Sequence, residues 1–227
     1  MYFNSIVCLL ISVFSLYTSH YIYKNNKNNL ADISYAIFWF FVSMTWLFVM
    51  ISLLLYKNGF FDYDIFLNQF GVQTAIFMQM AAGAYFVAFR TTKNNNYSLI
   101  IFLVVSLASL VGLYYDYRPG SLYATKSTFA SVEYQIDGTA WIVFQSIFSV
   151  VMLGMALDFI RNLFYWIKKS PLFEVKYFFA CMAAIIYGLV GYFDQAGIYA
   201  SWVGVLFRLS IILCASIAYL AYSEKEI

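Results

Sequence analysis

Arg208 sets the first chemical question in this sequence, because its guanidinium falls about a third of the way into an otherwise apolar run at Ser201–Tyr222. A charge at that depth of a membrane helix costs roughly 2.5–3.5 kcal/mol on insertion scales. It is therefore expected to turn inward, toward Asp194, Asp137 or an anionic ligand, unless its stem lets it snorkel to the interface. The other polar candidates are amides. Gln69 and Gln73 stand four apart on one helical face, with Asn68 and Gln79 on the same run and Gln145 on a later one. Amides in hydrocarbon need partners. Two readings follow: Gln69, Gln73, Gln145, Asp194 and Arg208 line a polar ligand pocket, or the amides make interhelical hydrogen bonds worth roughly 0.6–2 kcal/mol each.

Other chemistries are excluded by what the sequence lacks. His20 is its single histidine, which rules out bis-histidine haem ligation within one subunit and any three-histidine metal centre. Cys8, Cys181 and Cys214 lie far apart in apolar runs, in neither disulfide nor zinc spacing. There is no H-E-x-x-H, no phosphate-cradling glycine loop and no nucleophile elbow. Ser12, Ser43, Ser106 and Ser146 are expected to have no buried histidine or lysine to activate them, and the last run offers no lysine for a retinal Schiff base. A formal charge of +2 without a basic stripe excludes nucleic acid as a partner. The expectation is a non-enzymatic protein with no cofactor and no metal.

The elements that must position these residues are set by composition. Of 227 residues, 63% are hydrophobic, 22% aromatic and only 11% charged, with a mean hydropathy of +0.76. Soluble domains carry about 25% charged residues, so this chain belongs in a bilayer. Runs long enough to cross about 30 Å of hydrocarbon appear near Ser5–Tyr23, Ser34–Tyr56, Asn68–Phe89, Tyr97–Tyr115, Thr139–Ile160, Val175–Phe193 and Ser201–Tyr222. The first has no basic leader or cleavage site and is read as a span. The fold class is thus an all-α integral membrane protein, one seven-helix domain over residues 1–227.

Nine of the thirteen basic residues fall in connections one, three and five and the tail, and three in connections two and four. The positive-inside rule then puts the amino terminus outside and the carboxyl terminus in the cytoplasm, with residues 116–137 as an extracytoplasmic loop. In that loop Ser127–Tyr134 alternates partially and suggests a short hairpin or lid, or else an irregular loop. Asp158 and Arg161 read as a solvated ion pair at the inner end of the fifth span. Ala180, Ala184 and Gly188, and likewise Ser210, Cys214 and Ala218, recur every four residues as helix-packing seams. Pro119 and Pro171 both fall in connections, so the broken helices typical of transporters are missing.

The seven-span outline, with Leu157-Asp158-Phe159-Ile160-Arg161, Lys168-Lys169-Ser170-Pro171-Leu172-Phe173 and the two helices after them, resembles the amino-terminal seven-helix membrane sensor region of bacterial histidine kinases and related receptors. Trp46 and Arg90 echo it further up the chain, whereas the proline of that family's third helix is absent. The resemblance implies a sensor in a bacterial inner or plasma membrane. With five residues after the last span, its output would pass to a separate membrane or cytoplasmic protein partner. The competing expectation is an accessory subunit of a larger membrane complex, docking through the aromatic surfaces of spans two and six, with oligomers possible. A channel or transporter is the third.

Overall fold

The computed structural model describes residues 1–118, 122–127, 132–136, 138–195 and 202–223, with the backbone alone at 123–127, 132, 133, 135, 136, 194, 195 and 202. Seven of its helices are long and apolar enough to cross a membrane. They are α1 (Tyr2–Asn25), α2 (Leu30–Lys57), α3 (Phe61–Thr92), α4 (Asn95–Asp116), α5 (Gly138–Ile167), α6 (Val175–Gln195) and α7 (Trp202–Ser223). An antiparallel pair, β1 (Leu122–Ser127) and β2 (Val132–Ile136), joins α4 to α5. Ala124 faces Tyr134 and Lys126 faces Glu133, so one extra residue bulges from β1. The short hairpin expected within residues 116–137 is thus present as this antiparallel pair.

Local chemistry explains the boundaries. Asn29 caps α2 by accepting from the Ala31 N–H at 3.0 Å, and Asn94 caps α4 by accepting from Asn96 at 2.9 Å. The Asn-rich connections therefore supply the side-chain acceptors that open helices need. Gly59, at φ 81°, ends α2: Phe60 N–H reaches Leu55 C=O and Gly59 N–H reaches Tyr56 C=O, the paired bonds of a left-handed helix stop. The chain then re-enters helix at Phe61, seven residues before the expected Asn68, with Asp62 and Asp64 in a first turn whose dipole favours acids. A π-helical stretch at Leu67–Val72 follows, widening the coil before regular helix resumes at Gln73. Helix α5 likewise runs past the expected Ile160 to Ile167.

Six helices form a closed ring in the order α1, α2, α3, α5, α6, α7, and α4 packs outside it on α3 and α5. Of the central window of α3, 72% is buried, against 22% for α4. Since lipid gives helices no hydrophobic reason to associate, short hydroxyls and small residues make the seams. Ser12 and Ser43 meet at 3.1 Å, Ser19 donates to Ala36 C=O at 2.7 Å, and Thr18 donates to Ala215 C=O at 3.1 Å. Ala180 and Ala184 are fully buried. Gly188 lies so close to Met152 that an added Cβ would overlap the thioether. On α7, Cys214 and Ala218 are buried, whereas Ser210 is half-buried and donates to Phe207 C=O at 2.6 Å.

Candidate functional site

Two polar regions lie inside the bundle, at opposite ends. The end carrying the connections at 26–29, 93–94 and 168–174 is called the basic end. The other, with the 58–60 turn and the β-pair, is the hairpin end.

In the hairpin half, α2, α3, α5 and α6 line a partly open cavity of about 40 Å³. Thr45 and Trp46 come from α2, Gln79 from α3, Phe144 and Phe148 from α5, and Tyr187 from α6. Tyr187 donates its hydroxyl to Gln79 Oε1 at 3.1 Å, and Thr45 donates to its own helix at Phe41 C=O, 2.9 Å away. Gly188 and Gly191 are both on its lining, and a Cβ built on Gly191 meets nothing within 4 Å.

The residues singled out in the sequence surround this cavity without lining it. Arg208 is buried on α7, its guanidinium 5.5 Å from the centre of the Trp46 ring, so it stands against a wall residue. Gln73 is buried on α3 just after the π-helical stretch. Gln69 is buried and donates to the backbone carbonyls of Asp116 and Arg118, tying α3 to the end of α4. Gln145 is half-buried on α5, and its amide nitrogen finds no acceptor among the described residues. The side chain of Asp194, and all of Asp137, lie outside the described residues. Gln79, nearly at the middle of its helix, is the amide that the cavity uses.

Near the hairpin, Asp64 is fully buried and gathers neutral donors: Ser52 at 2.5 Å and Asn68 at 3.1 Å on one oxygen, and the Tyr134 hydroxyl of β2 on the other. Burial first, and then the charge of Asp64, pushes the Tyr134 phenol well above its ordinary range, so it remains a donor at neutral pH. This contact, together with the packing of Leu122 among Ile65, Tyr115 and Trp141, holds the hairpin to the helices below it.

The basic end is built from full charges. Arg90 is buried in the last turn of α3, bonded to Asp158 of α5 at 3.4 Å and to Glu174 at 2.5 Å. Its guanidinium also stacks 3.6 Å from the centre of the Tyr177 ring on α6. Arg161 pairs with the other oxygen of Asp158 and donates to Arg90 C=O at 3.4 Å. The Cys181 thiol completes the shell of Asp158 at 3.5 Å. The expected solvated pair of Asp158 and Arg161 is therefore corrected: the Asp158 side chain has no solvent exposure. The reason is the continuation of α5 to Ile167, which leaves Asp158 more than two turns inside the helix. Compared with the models of known protein families the chain matches none, and no curated protein is significantly similar to it.

A second buried carboxylate lies beside this junction. Asp32 of α2 accepts from Lys176 at 2.9 Å and from Tyr222 of α7 at 3.0 Å, while Asn29 donates to the Tyr177 hydroxyl at 2.9 Å. Tyr35 is sandwiched nearby, 4.9 Å from Phe86 and 5.7 Å from Tyr222, and donates to Ala180 C=O at 2.8 Å. Part of the aromatic content of α2 and α6 serves the interior: Tyr35, Phe38, Trp39, Trp46, Tyr177 and Tyr187 are all buried. Phe40, Phe179 and Tyr192 lie on the outside of the same two helices, whose aromatic surfaces are the ones expected to dock in the accessory-subunit reading. Arg90 and Asp158 were legible as charges; what concealed their junction was the reading of both as residues at the ends of spans.

Proposed function

We propose that this chain is a non-enzymatic seven-helix membrane sensor, a ligand-binding module that acts through a separate protein partner. The observation that supports it most is the cavity walled by α2, α3, α5 and α6, because the same four helices meet again at the basic end around Arg90, Asp158, Glu174 and the Asp32–Lys176 pair. A ligand that alters helix spacing at one end acts on elements whose opposite ends are tied by paired charges. Such an arrangement supports a sensor, because movement of a helix at the cavity is passed along its length to the charged junction that the same helices share. In this reading the basic end faces the cytoplasm, where the excess of Lys and Arg belongs, and the partner reads the α5–α6 connection. The resemblance of the Ala156–Tyr222 stretch to bacterial sensor regions agrees with it.

The test is thermal unfolding of the purified protein in lipid nanodiscs against a panel of membrane-permeant metabolites, wild type beside Gly191→Leu. The leucine fills the cavity from a position where a Cβ has open space. At least one compound is expected to raise the unfolding midpoint of the wild type and not that of the variant. If no compound separates the two proteins, the cavity is not a ligand site and the proposal fails.

A further inference from the structure

Beside the ion junction, α5 carries cations on a face that is otherwise apolar and turned outward. Val150, Leu153, Leu157 and Phe164 are each more than half exposed, and their spacings of three, four and seven keep them on one side of the helix. Arg161 and Lys168, seven apart, stand on that same side. Lys168 keeps the helical register, since its N–H still bonds Phe164 C=O at 3.1 Å, and its ammonium lies 5.3 Å from the centre of the Phe164 ring. Hydrocarbon and positive charge thus share one stripe, with the charge at the basic end.

Lys93 brings a third cation to the same place. It follows Arg90 by three residues at the end of α3, where Arg161 donates to the Arg90 carbonyl at 3.4 Å. Burial first, and then the charge of Arg90 with that of Arg161 behind it, pull the Lys93 ammonium below its ordinary range, against the opposite pull of Glu174 and Asp158. The acids nearby are already engaged: Asp158 by Arg90 and Arg161, and Glu174 by Arg90. Neither Lys93 nor Lys168 forms an ion pair among the described residues. Arg161, whose side chain is 31% exposed, makes both of its protein bonds through Nη2 and can be reached from outside, unlike the buried Arg90.

A soluble anion would satisfy these charges and leave the apolar stripe uncovered. An uncharged or zwitterionic lipid would cover the stripe and leave the charge unbalanced. We propose that this face of α5 holds a phospholipid with a net negative headgroup, drawn by the combined field of Arg161, Lys168 and Lys93, with an acyl chain along Phe164, Leu157, Leu153 and Val150. No convergence on one atom is needed, because an anionic headgroup responds to the summed potential of basic side chains at the membrane surface. The site is separate from the cavity, so neither proposal depends on the other.

Native mass spectrometry of the full chain in detergent, titrated with dioleoyl phosphatidylglycerol or dioleoyl phosphatidylcholine, reads the affinity of the first lipid bound. The glycerol lipid is expected to bind at least about tenfold more tightly, and the double variant Lys93→Gln/Lys168→Gln to lose most of that margin, since each lysine near a charged interface is worth about fivefold. Lys24→Gln/Lys27→Gln removes two equally exposed lysines from the α1–α2 connection and is expected to leave the affinity nearly unchanged. Equal affinity for the two lipids overturns the headgroup preference. Equal losses in the two double variants overturn the site, because overall charge then explains the binding. Glycerol 1-phosphate and hexaglutamate in excess are expected not to displace the lipid; displacement by either one gives the cations to a soluble anion or an acidic protein surface and overturns the proposal.

Discussion

The two ends of the bundle bury carboxylates by different means. At the basic end Asp158 is held by two guanidiniums, Arg90 and Arg161, and Asp32 by the Lys176 ammonium and a tyrosine. At the hairpin end Asp64 receives only neutral donors, Ser52, Asn68 and Tyr134. The first arrangement draws in five helices. Removing Asp158 strands Arg90, and removing Lys176 strands Asp32, in a dry interior, which makes it stiff against change. The second depends on hydrogen bonds of modest net worth and lies on the side of the cavity, where packing is incomplete. The contrast assigns rigidity to one end and adaptability to the other.

The largest effect should come from Asp158→Ala, which leaves Arg90 and Arg161 facing each other without the carboxylate between them. A loss of about 3–5 kcal/mol is expected, read from reversible unfolding in mixed micelles. A loss under about 1 kcal/mol would erase the difference between the ends. Next is Asp64→Ala, which strands three neutral donors instead of charges; about 1–3 kcal/mol should go, with the ion junction intact. If it proves costlier than Asp158→Ala, the assignment of rigidity is reversed.

Tyr134→Phe sharpens the picture at about 1 kcal/mol, measured with accessibility of the hairpin to protease. Because the folded pKa of this phenol is raised above its unfolded value, the hydroxyl's stabilising contribution is fully present below about pH 10 and is lost as pH rises through the folded value. The stability gap between wild type and Tyr134→Phe should therefore stay constant from neutrality to about pH 9 and narrow only above about pH 10. The smallest effect belongs to Lys169, which sits at φ 49° in a helix stop of the same kind as that at Gly59, with Ser170 N–H on Tyr165 C=O and Lys169 N–H on Trp166 C=O. Lys169→Gly should gain about 0.5 kcal/mol by relieving the left-handed strain, a shift of the thermal midpoint that leaves ligand response unchanged.

The helices were readable because a span needs only length and apolarity, and both are local properties of a run. Their ends were less so. The acidic turn at Phe61–Phe66 looked like a polar connection, since a helix start and a loop share Asp and aromatic residues, and the π-helical stretch that follows has no simple sequence mark. Arg208 was correctly expected to be buried, because a charge in a span has little other choice. The cavity was hidden for a different reason: Gln73 and Gln79 are alike as sequence, and only the rotation of α3 and the open space beside Gly191 decide which amide meets empty space. The junction at Arg90 joins residues of three separate stretches, which no spacing rule connects.

The ring closes between its first and seventh helices, where Thr18 on α1 meets the backbone of Ala215 on α7 across 197 positions of chain. A ribosome feeding this polypeptide into the membrane delivers those two surfaces far apart in time. Until α7 arrives, the hydroxyl-bearing side of α1 waits beside lipid, so the ring closes only after the other five of its helices are made, and a truncation before α7 would leave an open seam.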